Sequence, residues 1–118
     1  MPDLDPTLAD PLRRHFGFDA LRPGQDQALA PVLHGQDALV VMPTGAGKSL
    51  VYQLAAVVDH EAGRGTTVVV SPLIALMKDQ VDSLVAKGIP AASVHSGMTM
   101  QEQKAVLDAL ARGLLAMV

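Results

Sequence analysis

The sequence contains no cysteine and no tryptophan, and only 3% of its 118 residues are aromatic. The lack of cysteine excludes a disulfide framework and thiol chemistry, and it is typical of proteins from a reducing compartment. Because aromatic side chains are so few, aliphatic residues must fill the core, and a hydrophobic content of 49% is enough to form one. A chain of this length predicts at most one domain.

Long apolar runs and a strong charge of one sign are missing as well. No stretch approaches the about 18 apolar residues needed to cross a bilayer, and the first residues lack the basic start and apolar run of a signal peptide. We therefore expect a soluble, cytoplasmic chain with no membrane partner. Nine basic and twelve acidic residues give a net charge of −3, which argues against a surface that attracts nucleic acid over its whole area.

A glycine-rich segment, residues 43–49 (PTGAGKS), follows a predicted strand at 38–42 and precedes a predicted helix. Glycine lets the backbone approach an anion, and the first helical turn offers unpaired N–H groups at the positive end of the helix dipole. Lys48 is placed to reach the β- and γ-phosphates of a nucleotide, and the Ser49 hydroxyl to bind its Mg²⁺. The alternative is a tight turn that caps a helix, with Lys48 solvated.

Strands and helices alternate along the rest of the chain. Short β-favouring runs predict further strands at 66–71, 91–94 and 114–118, and the first and last of these have the pattern of buried strands. Periodic apolar residues predict helices at about 25–34 and 73–87, a third from Thr99 to Arg112, and a short one within residues 1–16. This order predicts an α/β fold with a parallel sheet covered by helices.

An aromatic ring and a side-chain amide, Phe18 and Gln25, lie close together in the sequence before the glycine-rich segment. A ring can stack on a base, and an amide offers the donor and the acceptor that match the N6/N7 edge of adenine. Taken alone, the pair is better explained by a structural role, with Phe18 in the core and Gln25 at the start of an exposed helix.

The sequence closely resembles the RecQ family of DNA helicases. Three segments in order carry this resemblance: FDALRPGQ (18–25), MPTGAGKS (42–49) and SPLIALMKDQV (71–81). The similarity covers residues 13–118 and corresponds to the first part of the family's first RecA-like motor domain. It implies a P-loop NTPase (RecA-like) parallel sheet with flanking helices, incomplete at its carboxy-terminal end. We expect residues 1–35 to form a helical lead-in and 36–118 the α/β core of this ATP-binding domain.

The resemblance also implies roles for individual residues. The adenine end of ATP would be contacted by Phe18, Arg22 and Gln25. The phosphates would be bound by Thr44, Gly45, Ala46, Gly47, Lys48 and Ser49, of which Lys48 would be catalytic and Ser49 a ligand of Mg²⁺. DNA would be contacted by Ser71, Pro72 and Leu73.

The implied function is the ATP-binding portion of an ATP-dependent 3′-to-5′ DNA helicase of recombination and repair, with ATP and Mg²⁺ as cofactors. Its partner would be single-stranded or duplex DNA, bound by the complete protein. A regulatory nucleotide-binding module and a non-catalytic remnant are the alternatives. No acidic residue ends a predicted buried strand, and the family's D-E-x-H element comes later than residue 118. We therefore expect this chain alone neither to hydrolyse ATP efficiently nor to unwind DNA.

Overall fold

The computed structural model describes residues 6–43 and 47–118. The helices, in chain order, are α1 (Pro6–Pro11), a π-helical turn (Leu12–Phe16), α2 (Gln25–Leu33), α3 (Lys48–Glu61), α4 (Ile74–Ala86) and α5 (Met100–Ala111). The helices predicted from the sequence are thus confirmed at nearly the expected bounds. The chain forms two compact units, Met1–Val58 and Asp59–Val118, while the division into residues 1–35 and 36–118 stays a prediction.

The first unit has an aliphatic core built on one face of α3. Apolar residues of α3 recur at the three- and four-residue spacing that places them on a single face. They pack with residues of the π-helical turn and α2 in one buried cluster: Leu12, Ala28, Leu29, Val51, Leu54, Ala55 and Val58. The aliphatic core expected from the composition is therefore present in this unit.

The short helix predicted near the amino terminus changes its hydrogen-bond pattern along its length. Pro11 lies at the end of α1, and the π-helical turn Leu12–Phe16 begins directly after it. Proline has no N–H to donate, so it interrupts the regular α-helical pattern at this point. Gly17, with φ of 73°, ends the turn in the left-handed conformation.

In the second unit, the last residues of the chain lie between two other extended segments. Met117 forms parallel bridges with both Thr67 and Ala91. The N–H of Thr67 donates to Ala116 at 2.9 Å, and the N–H of Ala92 donates to Met117 at 3.2 Å. Leu115, Ala116 and Met117 are buried whereas Leu114 is exposed, so the burial predicted for 114–118 is confirmed for its middle three residues.

The extended parallel sheet is not confirmed, because the described residues contain only these isolated bridges. The expectation that 66–71 is fully buried is wrong, since Val68 is 67% and Val70 93% exposed. The predicted strand at 38–42 forms no bridge with any described residue, and Leu39 is 94% exposed. A run of β-branched residues favours an extended backbone, but burial also requires a covering layer, and no described element covers these side chains.

The three-residue spacing of Thr99 and Glu102 predicts a capping box at the start of α5, and the structure contains it. The Thr99 hydroxyl accepts a hydrogen bond from the Glu102 N–H at 3.1 Å, and the Glu102 carboxylate accepts one from the Thr99 N–H at 3.3 Å. Each side chain thereby satisfies a backbone donor that the helix leaves unpaired. Among the helices that the structure describes, none is both long and apolar enough to cross a membrane.

Candidate nucleotide site

The side chain of Gln25 connects two segments of the first unit. Gln25 begins α2 and is only 2% exposed. Its Oε1 accepts a hydrogen bond from the Arg22 N–H at 2.7 Å, and its Nε2 donates one to the Gly47 carbonyl oxygen at 3.0 Å. One amide therefore holds together the turn before α2 and the last residue of the glycine-rich segment before α3.

Gly47 occupies a position that only glycine fits. Its φ of +82° lies in the left-handed region, and a Cβ added there would collide with Nε2 of Gln25. The Arg22 Nη1 atom lies 3.9 Å from that same Cβ position. The missing side chain lets Gln25 reach the Gly47 carbonyl and leaves a guanidinium group beside the start of α3.

The first turn of α3 carries the two side chains expected to bind a nucleotide's phosphates and metal. Lys48 is the first residue of α3 and is exposed, while Ser49 is half-buried. The first N–H groups of a helix lack internal partners and carry the positive end of its dipole. Arg22 and Lys48 add positive charge to this end of α3, which suits it to a polyanion.

The Ser49 hydroxyl also has a neighbour that sequence reasoning missed. Tyr52 donates a hydrogen bond from its hydroxyl to Ser49 Oγ, with the oxygens 3.3 Å apart. The spacing of three residues was the available signal, because it places the two side chains one helical turn apart.

The donor set fits Mg²⁺ bound together with phosphates. Within residues 6–43 and 47–118 no group of three or more His, Cys, Asp or Glu side chains could hold a metal by itself. Mg²⁺ usually keeps several waters and takes few protein ligands when it binds with substrate phosphates. A single hydroxyl oxygen, that of Ser49, is compatible with such a site.

The residues predicted to contact the nucleotide fall into three groups. The structure brings Arg22, Gln25 and Gly47 together, whereas Thr44, Gly45 and Ala46 lie outside the described residues. Phe18 is 47% exposed. The structural alternative is wrong for Phe18, which is not in the core, while Gln25 begins α2, as that alternative has it, but is itself buried. The roles of both residues in binding adenine stay predictions.

The residues predicted to contact DNA precede α4 in the second unit. The Ser71 hydroxyl accepts a hydrogen bond from the Leu73 N–H at 3.3 Å, and Pro72 and Leu73 are exposed. On α4, the Lys78 ammonium pairs with the Asp82 carboxylate at 2.9 Å. The hydrogen bond that Lys78 donates to Asp82, together with the negative charge of Asp82, raises the pKa of Lys78. Lys78 lies on a solvated face of α4, with its side chain 75% exposed.

Comparison with known proteins shows the family of the chain. The family model for the DEAD/DEAH box helicase matches residues 22–118. The chain belongs to the DEAD/DEAH box helicase family. Membership in this helicase family implies a P-loop NTPase fold.

Individual helicases show a narrower similarity. The chain is 46% identical to the ATP-dependent DNA helicase RecQ of Haemophilus influenzae, over 96% of this chain and 18% of that protein. It is 44% identical to the RecQ helicase of Pasteurella multocida, over 98% of this chain and 18% of that protein. The ATP-dependent helicase SGS1 of Saccharomyces cerevisiae is 44% identical over 91% of this chain and 7% of its own length.

These matches confirm the resemblance to RecQ helicases. This chain matches their amino-terminal motor domain and spans 18% of the length of the two bacterial relatives. The activities named for those proteins belong to much longer chains.

Proposed function

We propose that this chain is the ATP-binding portion of a RecQ-like ATP-dependent DNA helicase. The observation that carries the proposal is the hydrogen bond from Gln25 to Gly47. It joins the segment proposed to bind adenine to the segment proposed to bind phosphates. A nucleotide has the same two ends, a base and a polyphosphate, and the two segments meet in one small region of the first unit.

The phosphates would bind at the first turn of α3. Its backbone N–H groups and the Lys48 ammonium would donate to phosphate oxygens, and the Ser49 hydroxyl would bind Mg²⁺. The bound Mg²⁺ would neutralise phosphate charge. Thr44, Gly45 and Ala46 would complete the phosphate contacts, as the RecQ resemblance implies.

The adenine would bind at Phe18, Arg22 and Gln25. An amide has two N–H donors and two oxygen lone pairs. Among the described residues, the bonds to Arg22 and Gly47 use one of each, and the RecQ resemblance implies that the other donor and acceptor meet the N6/N7 edge of adenine. The exposed ring of Phe18 is free of the core and suited to stack on a base.

Binding of Mg–ATP tests this proposal directly. We expect Lys48→Ala to weaken ATP binding about tenfold or more, because a charge-assisted hydrogen bond to phosphate is lost. Lys104→Ala is the matched control, since Lys104 is an exposed lysine of α5 in the second unit. Equal affinity of the wild type and Lys48→Ala, measured by equilibrium dialysis, would refute the proposed site.

For the whole protein we propose 3′-to-5′ DNA unwinding in recombination and repair, with Ser71, Pro72 and Leu73 contacting the DNA strand. The complete protein would bind single-stranded or duplex DNA, with ATP and Mg²⁺ as cofactors. The hydrogen bond between Ser71 Oγ and the Leu73 N–H fixes a turn that leaves Pro72 and Leu73 exposed, which supports a contact surface there.

For the isolated chain we propose binding without efficient hydrolysis. Phosphoryl transfer needs an acidic group for the metal and a residue that orients water, and an arginine finger can add about a thousandfold in rate. A steady-state ATPase assay with single-stranded DNA measures this. Turnover that persists through purification and disappears in Lys48→Ala would contradict the proposal.

A further inference from the structure

The hydroxyl groups of Ser49 and Tyr52 meet on one face of α3. One helical turn separates the two residues, so their side chains are neighbours on the helix surface. The two oxygens lie 3.3 Å apart, and both residues are half-buried. Partial shielding from water strengthens such a contact.

We propose that Tyr52 is a positioning residue that orients the Ser49 hydroxyl toward Mg²⁺ bound with the nucleotide. The inference rests on the proposed function, because Ser49 has a cation to bind only if the site holds Mg–ATP. Hydrogen bonds near active sites are often long before ligands bind and shorten in the complex, so a distance of 3.3 Å is compatible with this role.

The chemistry follows from the two hydroxyl groups. Serine and tyrosine can each donate one proton and also accept one. In the structure Tyr52 donates to Ser49, and this contact favours one orientation of the serine side chain. With Mg²⁺ bound, the Ser49 hydroxyl would turn its proton away from the metal, and the Tyr52 oxygen would be the acceptor for that proton. A ligand that donates its own proton to a neighbour binds a metal more strongly.

A Mg²⁺ titration of ATP binding separates this role from packing. Tyr52→Phe keeps the ring and removes only the hydroxyl. We expect Tyr52→Phe to bind ATP in EDTA as tightly as the wild type does. The factor by which Mg²⁺ increases ATP affinity should be about fivefold smaller than in the wild type, the effect of one neutral hydrogen bond. Ser49→Ala should reduce the Mg²⁺-dependent increase in ATP affinity further. Adding Tyr52→Phe to Ser49→Ala should cause no additional reduction, because the two residues act as one unit.

A second measurement does not depend on the stability of the tyrosine variant. Tyr52 is the single tyrosine and the sequence has no tryptophan, so tyrosine emission reports on this hydroxyl alone. Excitation is set where adenine absorbs little. We expect Mg²⁺ to change the emission of the ATP-bound wild type but not that of Ser49→Ala. Unchanged emission in the wild type overturns the inference, even if Tyr52→Phe does not fold.

The two proposals fail in different ways. Wild-type protein that binds no ATP, with or without Mg²⁺, would refute the proposed function and this inference together. Wild-type protein that binds ATP more tightly with Mg²⁺, while Tyr52→Phe shows the same gain, would refute only the role of Tyr52. A Tyr52→Phe variant that loses affinity equally in EDTA and in Mg²⁺ would also refute it, because that result indicates a packing role.

Discussion

The Gln25 side-chain amide donates a hydrogen bond to the carbonyl oxygen of Gly47, 3.0 Å away and 22 positions later in the chain. Both residues lie next to helix starts, Gln25 as the first residue of α2 and Gly47 just before α3. Because Gln25 is buried, water cannot readily replace either partner. The end of the glycine-rich segment is therefore held by a side chain from outside that segment.

Replacing Gln25 with alanine should destabilise the first unit. The Gly47 carbonyl and the Arg22 N–H would each lose a partner in a partly buried environment, at a combined cost of about 1–3 kcal/mol for the two hydrogen bonds. Urea unfolding followed by circular dichroism measures this cost. Gln27→Ala is the matched control, because Gln27 is an exposed glutamine of the same helix. Equal losses in the two variants would show that the amide contacts do not contribute to stability.

Replacing Gly47 with alanine should destabilise more than the same change at another left-handed glycine. Gly35 has a φ of +73° with open space around its Cβ position, so Gly35→Ala measures backbone strain alone. Gly47→Ala adds the collision with Gln25, and we expect a further loss of about 1 kcal/mol or more. Urea unfolding of both variants gives the comparison.

The collision itself can be isolated with a double variant. In a Gln25→Ala background the obstacle is gone, so Gly47→Ala should cost less than it does in the wild type. Neighbouring residues that interact give non-additive changes of this kind. Additive effects of the two substitutions would mean that Gln25 and Gly47 do not constrain each other.

Local features of this chain could be read from the sequence, and contacts between distant segments could not. Thr99 and Glu102 are three residues apart, so their capping box depends on spacing alone. The burial of Val70 depends on whether another layer covers its face, and the sequence pattern misled us there. Likewise, nothing local in the sequence indicates that Gln25, at the start of α2, is buried and contacts Gly47, 22 positions later.

Replacing Thr99 with alanine should destabilise the second unit by about 1 kcal/mol, the usual cost of losing an N-cap side chain. The variant removes the acceptor for the Glu102 N–H. Thermal unfolding followed by circular dichroism is the measurement. Gln101→Ala, an exposed position in the first turn of the same helix, should stay close to wild type. A loss in Gln101→Ala as large as that in Thr99→Ala would exclude the capping box as the cause.

Replacing Phe18 with alanine should weaken binding of ATP about tenfold while leaving binding of inorganic tripolyphosphate unchanged. Stacking of an aromatic ring on a base contributes about 1–3 kcal/mol by alanine substitution, and tripolyphosphate has no base to stack. Because Phe18 is 47% exposed, its removal should disturb the core little, which unfolding measurements would verify. Equal weakening of both ligands would place Phe18 in support of the fold rather than in contact with adenine, since only a base-specific loss requires the ring to touch the nucleotide.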